Sequence, residues 1–327
     1  MKPIILRYFR ISLIVLAPML SVPLCIAQTY PDRPIRFVVP LPPGGGADIV
    51  ARTVGQKLTE ALGQQVIIDN RGGGGTVIGA VTVARALPDG YTLLLGTATT
   101  HAINASLIKN LPYDPIKDFN PVSLIANLPI VLVAHPSLAV NGVADLVALA
   151  KSKPGQLLFA SSGNGSSLHL LGELLNLRAQ VKTMHVPYRG AAPAITALLG
   201  GEVNFMFSSI PPILPHIKTQ RVKALAMATP KRSNLMSDVP TINESGISGV
   251  DAYSWNGVMV PAGTPPAVIT RLHTELVKIM RLGDVVERLG NLGTEAVSNT
   301  PTEFAAFINS EIAKYALIVK ASGAKVD

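Results

Sequence analysis

Apolar positions fall in short runs that alternate with stretches of helical spacing, and glycine or proline stands at most of the changeovers. The run 35–39, IRFVV, predicts a buried strand. Pro42, Pro43, Gly44, Gly45 and Gly46 end it, and Asp48 is predicted to open a helix, because Ile49, Val50, Val54, Leu58 and Leu62 then share one helical face. The alternation continues with a strand over 65–69, a helix over 76–86, a strand over 91–95 and a short helix in THAINASL after Gly96. Strands are then predicted over 131–134, 157–160, 183–186, 204–207 and 223–228, with helices over 143–152, 168–177 and 191–199. After a strand over 257–260, Thr264 and Pro265 read as an N-cap and a first helical residue, for a helix reaching about Arg281. A capping box from Thr300 to Glu303 opens the last helix, whose stripe is Phe304, Phe307, Ile308, Ile312, Tyr315 and Val319.

This order predicts an α/β protein with mostly parallel sheets flanked by helices. The last two helices are expected to pack back onto the first domain. That places one lobe in 28–128 with 252–327 and a second in 129–251, with crossings near 125–131 and 250–257. Trp255, the single tryptophan, falls at the second crossing, where it either senses movement or is an ordinary core residue.

Chemistry concentrates at the strand-to-helix turns. The first, PLPPGGGAD, brings glycines to a helix N-terminus, where free amides and a partial positive charge suit a carboxylate or phosphate. A tight turn with no ligand is the alternative. SSGNGSS over 161–167 ends another strand with four hydroxyls and two glycines, and Ser166 or Ser167 can cap the next helix. Arg189 and Gly190 precede a third helix, a guanidinium suited to a carboxylate, although a solvated arginine fits as well.

Residues 1–27 change the compartment. Lys2, Arg7 and Arg10 precede an apolar run over 11–17, and Cys25-Ile26-Ala27 forms a small-x-small site, the pattern of a cleavable signal peptide. Pro18 and Pro23 interrupt the run before the ~20 residues a membrane span requires. A lipoprotein reading of Cys25 meets a bulky Leu24. The 300 residues left hold no cysteine, which removes disulfides, thiolate metal sites and a cysteine nucleophile. Their 25 basic and 20 acidic residues give a scattered +5, without the basic stripe of a nucleic-acid binder.

Catalytic and metal motifs are not evident: there is no His-x-x-x-His, no Gly-x-Ser-x-Gly and no paired carboxylates. Asp69 follows the first glycine turn by ~20 residues, as in dinucleotide binders, but the third glycine of that fingerprint is missing. No cofactor is expected.

The chain resembles the Bug-type periplasmic solute receptors of tripartite tricarboxylate transporters. The blocks that carry the likeness are YPDRPIRFVVPLPPGGGADIVAR, NRGGGGTVIGA, LPDGYTLLLGTATTHAINASL, LPYDPIKDFNPVSLIA, SSGNGSSLHLLGELL, VPYRGAAPAITALLGGEVNFMF, RSNLMSDVPTINESG and PAGTPPAVITRL. The resemblance implies a two-domain periplasmic binding protein of Venus-flytrap type, closing on one small carboxylate and delivering it to a two-subunit membrane permease. A sensor kinase is a further candidate partner, and the receptor is expected to act as a monomer, not an enzyme. An exported enzyme acting on a carboxylated substrate is the alternative.

Candidate ligand contacts in the first turn are Leu41, Pro42, Gly44, Gly45, Gly46, Ala47 and Asp48. Thr97, Thr99 and His101 follow the third strand. Ser161, Ser162, Gly163, Ser166 and His169, then Arg189, Gly190 and Ser208, complete the candidates from the second lobe. Leu41 stands where the family often carries an aromatic residue, and Gly73 replaces a frequent proline.

Overall fold

The computed structural model describes residues 30–324, so the signal-peptide reading of 1–27 lies outside the described residues. The first half runs β1 (Ile35–Val39), α1 (Gly46–Leu62), β2 (Val66–Asn70), α2 (Val77–Ala84), β3 (Thr92–Thr97), α3 (Asn104–Leu107) and β4 (Phe119–Ala134). Then come α4 (Val143–Ser152), β5 (Leu158–Ser161), α5 (Ser167–Ala179), β6 (Met184–Pro187), α6 (Ala191–Leu199), β7 (Phe205–Ser209), α7 (Ile210–Lys218) and β8 (Lys223–Met227). The chain returns through β9 (Tyr253–Pro261), α8 (Pro266–Ile279), α9 (Gly283–Asn291), β10 (Glu295–Ala296) and α10 (Pro301–Ser322).

One sheet runs in the order β2-β1-β3-β9-β4-β7-β5-β6, with β8 and β10 also paired to β4. Its outer ends are parallel, where strands alternate with covering helices. At the centre β9 is antiparallel to β3 and β4, and β4 is antiparallel to β7 and β8. The sheet is therefore mixed and not mostly parallel, because β4 and β9 carry the chain from one half to the other. β4 serves both halves. Phe119 to Pro129 pair with β9, and Ile130 to Ala134 pair with β7.

Side chains along these strands are buried on alternate faces. Ile35, Phe37 and Val39 join Leu93 and Leu95 under α1 and α8, whereas Val38 and Leu94 face α2, Trp255 and α10. In the second half Ile130, Leu132 and Ala134 pack toward α4 and α5, and Val131 and Val133 pack toward α6 and α7. Burial on both faces explains why these strands read as continuous apolar runs.

Several boundaries differ from the sequence reading. α1 begins at Gly46, so Asp48 lies within its first turn. Pro265, not Thr264, is the N-cap of α8, and Thr264 Oγ1 instead donates to Pro261 O at 2.7 Å. The strand expected over 131–134 is the end of the 16-residue β4, whose earlier part was obscured by Pro121, Asn127 and Pro129. Register shifts beside Pro121 and Leu124 accommodate that sequence as bulges. Proline also hid α7, although Pro211 sits in its first turn, where a missing N–H costs no helical bond. The capping box of α10 forms as expected, with Thr300 Oγ1 accepting from Glu303 N at 3.2 Å. This helix packs against β4 and the turn 99–103, and also against α5 of the second half.

Candidate functional site

Helix N-termini from both halves of the sheet border a cleft of about 780 Å³. α1 enters it with Gly45 as N-cap and α6 with Gly190, and neither end has a side-chain cap. First-turn amides that lack partners in their own helix therefore remain for a ligand. α5 differs, since Ser166 caps it by accepting from His169 N at 3.2 Å.

The glycine turn before α1 is braced from behind. Asp48 accepts from Gly44 N, Arg52 Nε and Asn70 Nδ2, each at 3.0 Å, and Asn70 Nδ2 also donates to Leu41 O at 3.1 Å. Burial alone would raise the Asp48 carboxyl, but these hydrogen bonds and the Arg52 charge outweigh it and hold it below the usual carboxylate range. Asp48 is thus an anion whose charge Arg52 offsets. Arg189 is the other charged residue on the wall; it is exposed and makes no ion pair among the described residues. The balance of charge facing the cleft is positive.

The two walls touch at the rim. A Cβ on Gly190, whose φ is +115°, would lie 3.1 Å from Pro42 Cγ, and one on Gly44 would lie 3.6 Å from Ala192 Cβ. Glycine at 190 supplies both the backbone angle and the close approach.

Of the sequence candidates, Leu41, Pro42, Gly45, Gly46, Ala47, Asp48, Thr97, Thr99, Ser162, Gly163, Ser166, Arg189 and Gly190 line the cleft. Of the other five, Gly44 is exposed at the rim and four stand behind the wall, contrary to expectation. Gly44 is a donor to Asp48. Ser208 points away from Ser209 by strand alternation and donates to Ser209 O at 2.9 Å. Ser161 Oγ lies 2.6 Å from His185 Nε2. His169 stacks on His185, with ring centroids 3.8 Å apart, and its Nδ1 accepts from Gly165 N at 3.1 Å. The SSGNGSS turn therefore rests on a histidine pair. His101 is fully buried, with Nδ1 2.7 Å from Thr100 Oγ1 and its ring edge-on to Phe119.

Sequence reasoning missed Asn70, the wall from Gly72 to Thr76, Tyr188, Ser209, Ser254 and Asn256. The four glycines at 72–75 were a visible signal for part of this wall. Ser254 and Asn256 gave none, because they flank a buried tryptophan in a strand whose start was not apparent.

Desolvation makes two histidines, the fully buried His101 and the partly buried His185, a source of acid lability. Desolvation pushes His101 down to about 3. For His185, desolvation comes first and the neighbouring His169 second, bringing it down to about 4 despite Glu173 nearby. Both folded values lie below the unfolded value of about 6.5, so their stabilisation is complete above that pH and is lost as pH falls toward the folded values. Stability, read as the melting temperature, should fall from about pH 7 to about pH 5, by up to ~1.4 kcal/mol per pH unit for the fully buried His101 and by less for the partly exposed His185. His101→Leu should flatten that slope by one group's share. An unchanged slope in a folded variant would show that His101 takes no part.

Residues 50–324 match the sequence model described as the tripartite tricarboxylate transporter family receptor. The chain belongs to that family. It is similar to Protein BugT of Bordetella pertussis, 39% identical over 301 residues that cover 92% of each chain. Among solved structures it is similar to R. palustris Rpa4515 with adipate, at TM-score 0.88 and 35% identity, covering 91% of this chain and 100% of that one. MatC from Rhodopseudomonas palustris with bound malate is also similar, at TM-score 0.84 and 32% identity, covering 89% and 100%. The fold is that of a periplasmic binding protein. Membership in a family of transporter receptors, and not any missing catalytic group, sets aside the exported-enzyme alternative.

Proposed function

We propose that this receptor captures one small organic carboxylate between two lobes, 28–128 with 252–327 and 129–251, and delivers it to a two-subunit membrane permease. The observation that carries this reading is the pair of uncapped N-termini, α1 and α6, on opposite walls of one cleft beside the unpaired Arg189. Helix N-termini and a guanidinium both favour a carboxylate, and main-chain donors leave room for bridging water. Adipate and malate in two relatives support the same ligand class. A ligand touching both walls is bound fully only when they meet, so occupancy favours the closed arrangement. The event takes place in the periplasm, a reading supported by the leader pattern of 1–27 and by the likeness to periplasmic binding proteins.

Calorimetry with mono-, di- and tricarboxylates is the test. One carboxylate should bind per chain, and Arg189→Ala should weaken it by about tenfold or more, the value of a charge-assisted contact. Binding confined to neutral or cationic compounds would overturn the reading.

A further inference from the structure

We propose that the ligand carries a hydroxyl near a carboxylate, and that Asn256 selects it. This rests on the carboxylate-receptor reading above. Asn256 lies on β9 between Thr97 of β3 and Ala126 of β4, on the floor of the cleft. It is 1% exposed, and its Nδ2 donates to Trp255 O at 2.9 Å. That bond fixes Oδ1 as the acceptor end of the amide, and Oδ1 has no partner among the described residues. A buried acceptor left unpaired is costly, so the cleft is completed by a donor.

Thr97, its neighbour on β3, does not supply that donor: its hydroxyl lies in the turn 97–100, 3.3 Å from Thr100 Oγ1 and accepting from Thr100 N at 3.2 Å, and Asn256 Oδ1 has no protein donor within hydrogen-bond reach among the described residues. The nature of the missing donor follows from the charges. An ammonium group needs an anion, and the wall's one carboxylate, Asp48, is already engaged by Gly44, Arg52 and Asn70. A neutral hydroxyl needs no counter-charge.

Its position follows from the strand register. The start of α1 abuts Leu128, whose β9 partner is Ser254, and Asn256 is two positions further along the same face. That spacing is about 7 Å, so a carboxylate at the α1 amides and a hydroxyl at Asn256 fit within one short carbon chain. The relatives that hold adipate and malate differ in this group, since malate carries a hydroxyl and adipate does not.

The test uses acids of matched chain length on the purified protein: succinate, malate and aspartate, then glutarate, 2-hydroxyglutarate and glutamate, with both enantiomers where they exist. In at least one series the hydroxy acid should bind about tenfold or more tighter than the unsubstituted acid, with the amino acid weaker than the hydroxy acid. Asn256→Leu, similar in size, should lose that preference, the ratio of affinities between hydroxy acid and unsubstituted acid falling to about one. Equal affinities within both series would overturn the hydroxyl assignment and leave the receptor reading standing, as when water fills the place. An amino acid binding best, or a preference surviving in Asn256→Leu, would also overturn it. If no carboxylate binds at all, both readings fall. The comparison on the unmutated protein decides the hydroxyl question even if Asn256→Leu does not fold.

Discussion

Gly45→Val should abolish carboxylate binding in a protein that still folds. Gly45 has φ −86° and ψ 170°, a conformation open to any residue, so valine adds no backbone strain. Its Cβ would stand 3.7 Å from Ala191 Cβ, an ordinary contact, but the two methyls beyond it would enter the space between the α1 and α6 N-termini. Affinity should fall by at least about a hundredfold, or ~2.7 kcal/mol. Stability should fall by only about 1 kcal/mol, for a poorer N-cap. Gly46→Val is a worse probe. There a Cβ would come within 2.7 Å of Leu128 Cδ2 and 2.8 Å of Ser209 Oγ, so folding and binding would fail together. Calorimetry beside thermal melting separates the two, and wild-type affinity in a folded Gly45→Val protein would move the ligand away from this turn.

The first turn was legible because its chemistry is local. Glycine before a helix with no capping side chain marks available amides in the sequence itself, and α1 and α6 supply them across the cleft. Which neighbouring hydroxyl faces the ligand was not legible, since Ser161 and Ser162, or Ser208 and Ser209, look alike until the strand register is known. The histidines were opaque for a related reason. Near a helix start His101 and His169 resemble ligand donors, yet the turn 99–103 carries His101 into the core and stacking holds His169 against His185.

Trp255 shows the same limit. Its chain position suggested a sensor at the crossing between lobes, but it is fully buried, with Phe304 and Phe307 edge-on to it and Nε1 donating to Glu311 Oε2 at 2.9 Å. Its neighbours Ser254 and Asn256 line the cleft while the indole faces α10. A tryptophan held in such a core should report closure only weakly. Solution scattering, which reads the separation of the two proposed lobes directly, is the better measure.

That same core supplies the largest stability effect expected. Gly257 lies on β9, where a Cβ would penetrate the ring of Phe304, the buried aromatic in the first turn of α10. Its φ is outside the left-handed range, so glycine is needed for space alone. Gly257→Ala should cost about 3 kcal/mol or more, because the ring cannot retreat without displacing Trp255 or the capped start of α10. If space is the cause, removing ring volume should restore part of the loss. Gly257→Ala with Phe304→Leu should be less unstable than the two single losses together, by about 1 kcal/mol or more. Gly172→Ala is the control, since its Cβ would meet Phe159 in the other half of the sheet and Phe304→Leu gives it no relief. Strict additivity at 257 and 304 would place the need for glycine elsewhere. A measured coupling would show that α10 seats on bare backbone of the strand whose opposite face presents Ser254 and Asn256 to the cleft, joining the C-terminal helix to the geometry of the binding floor.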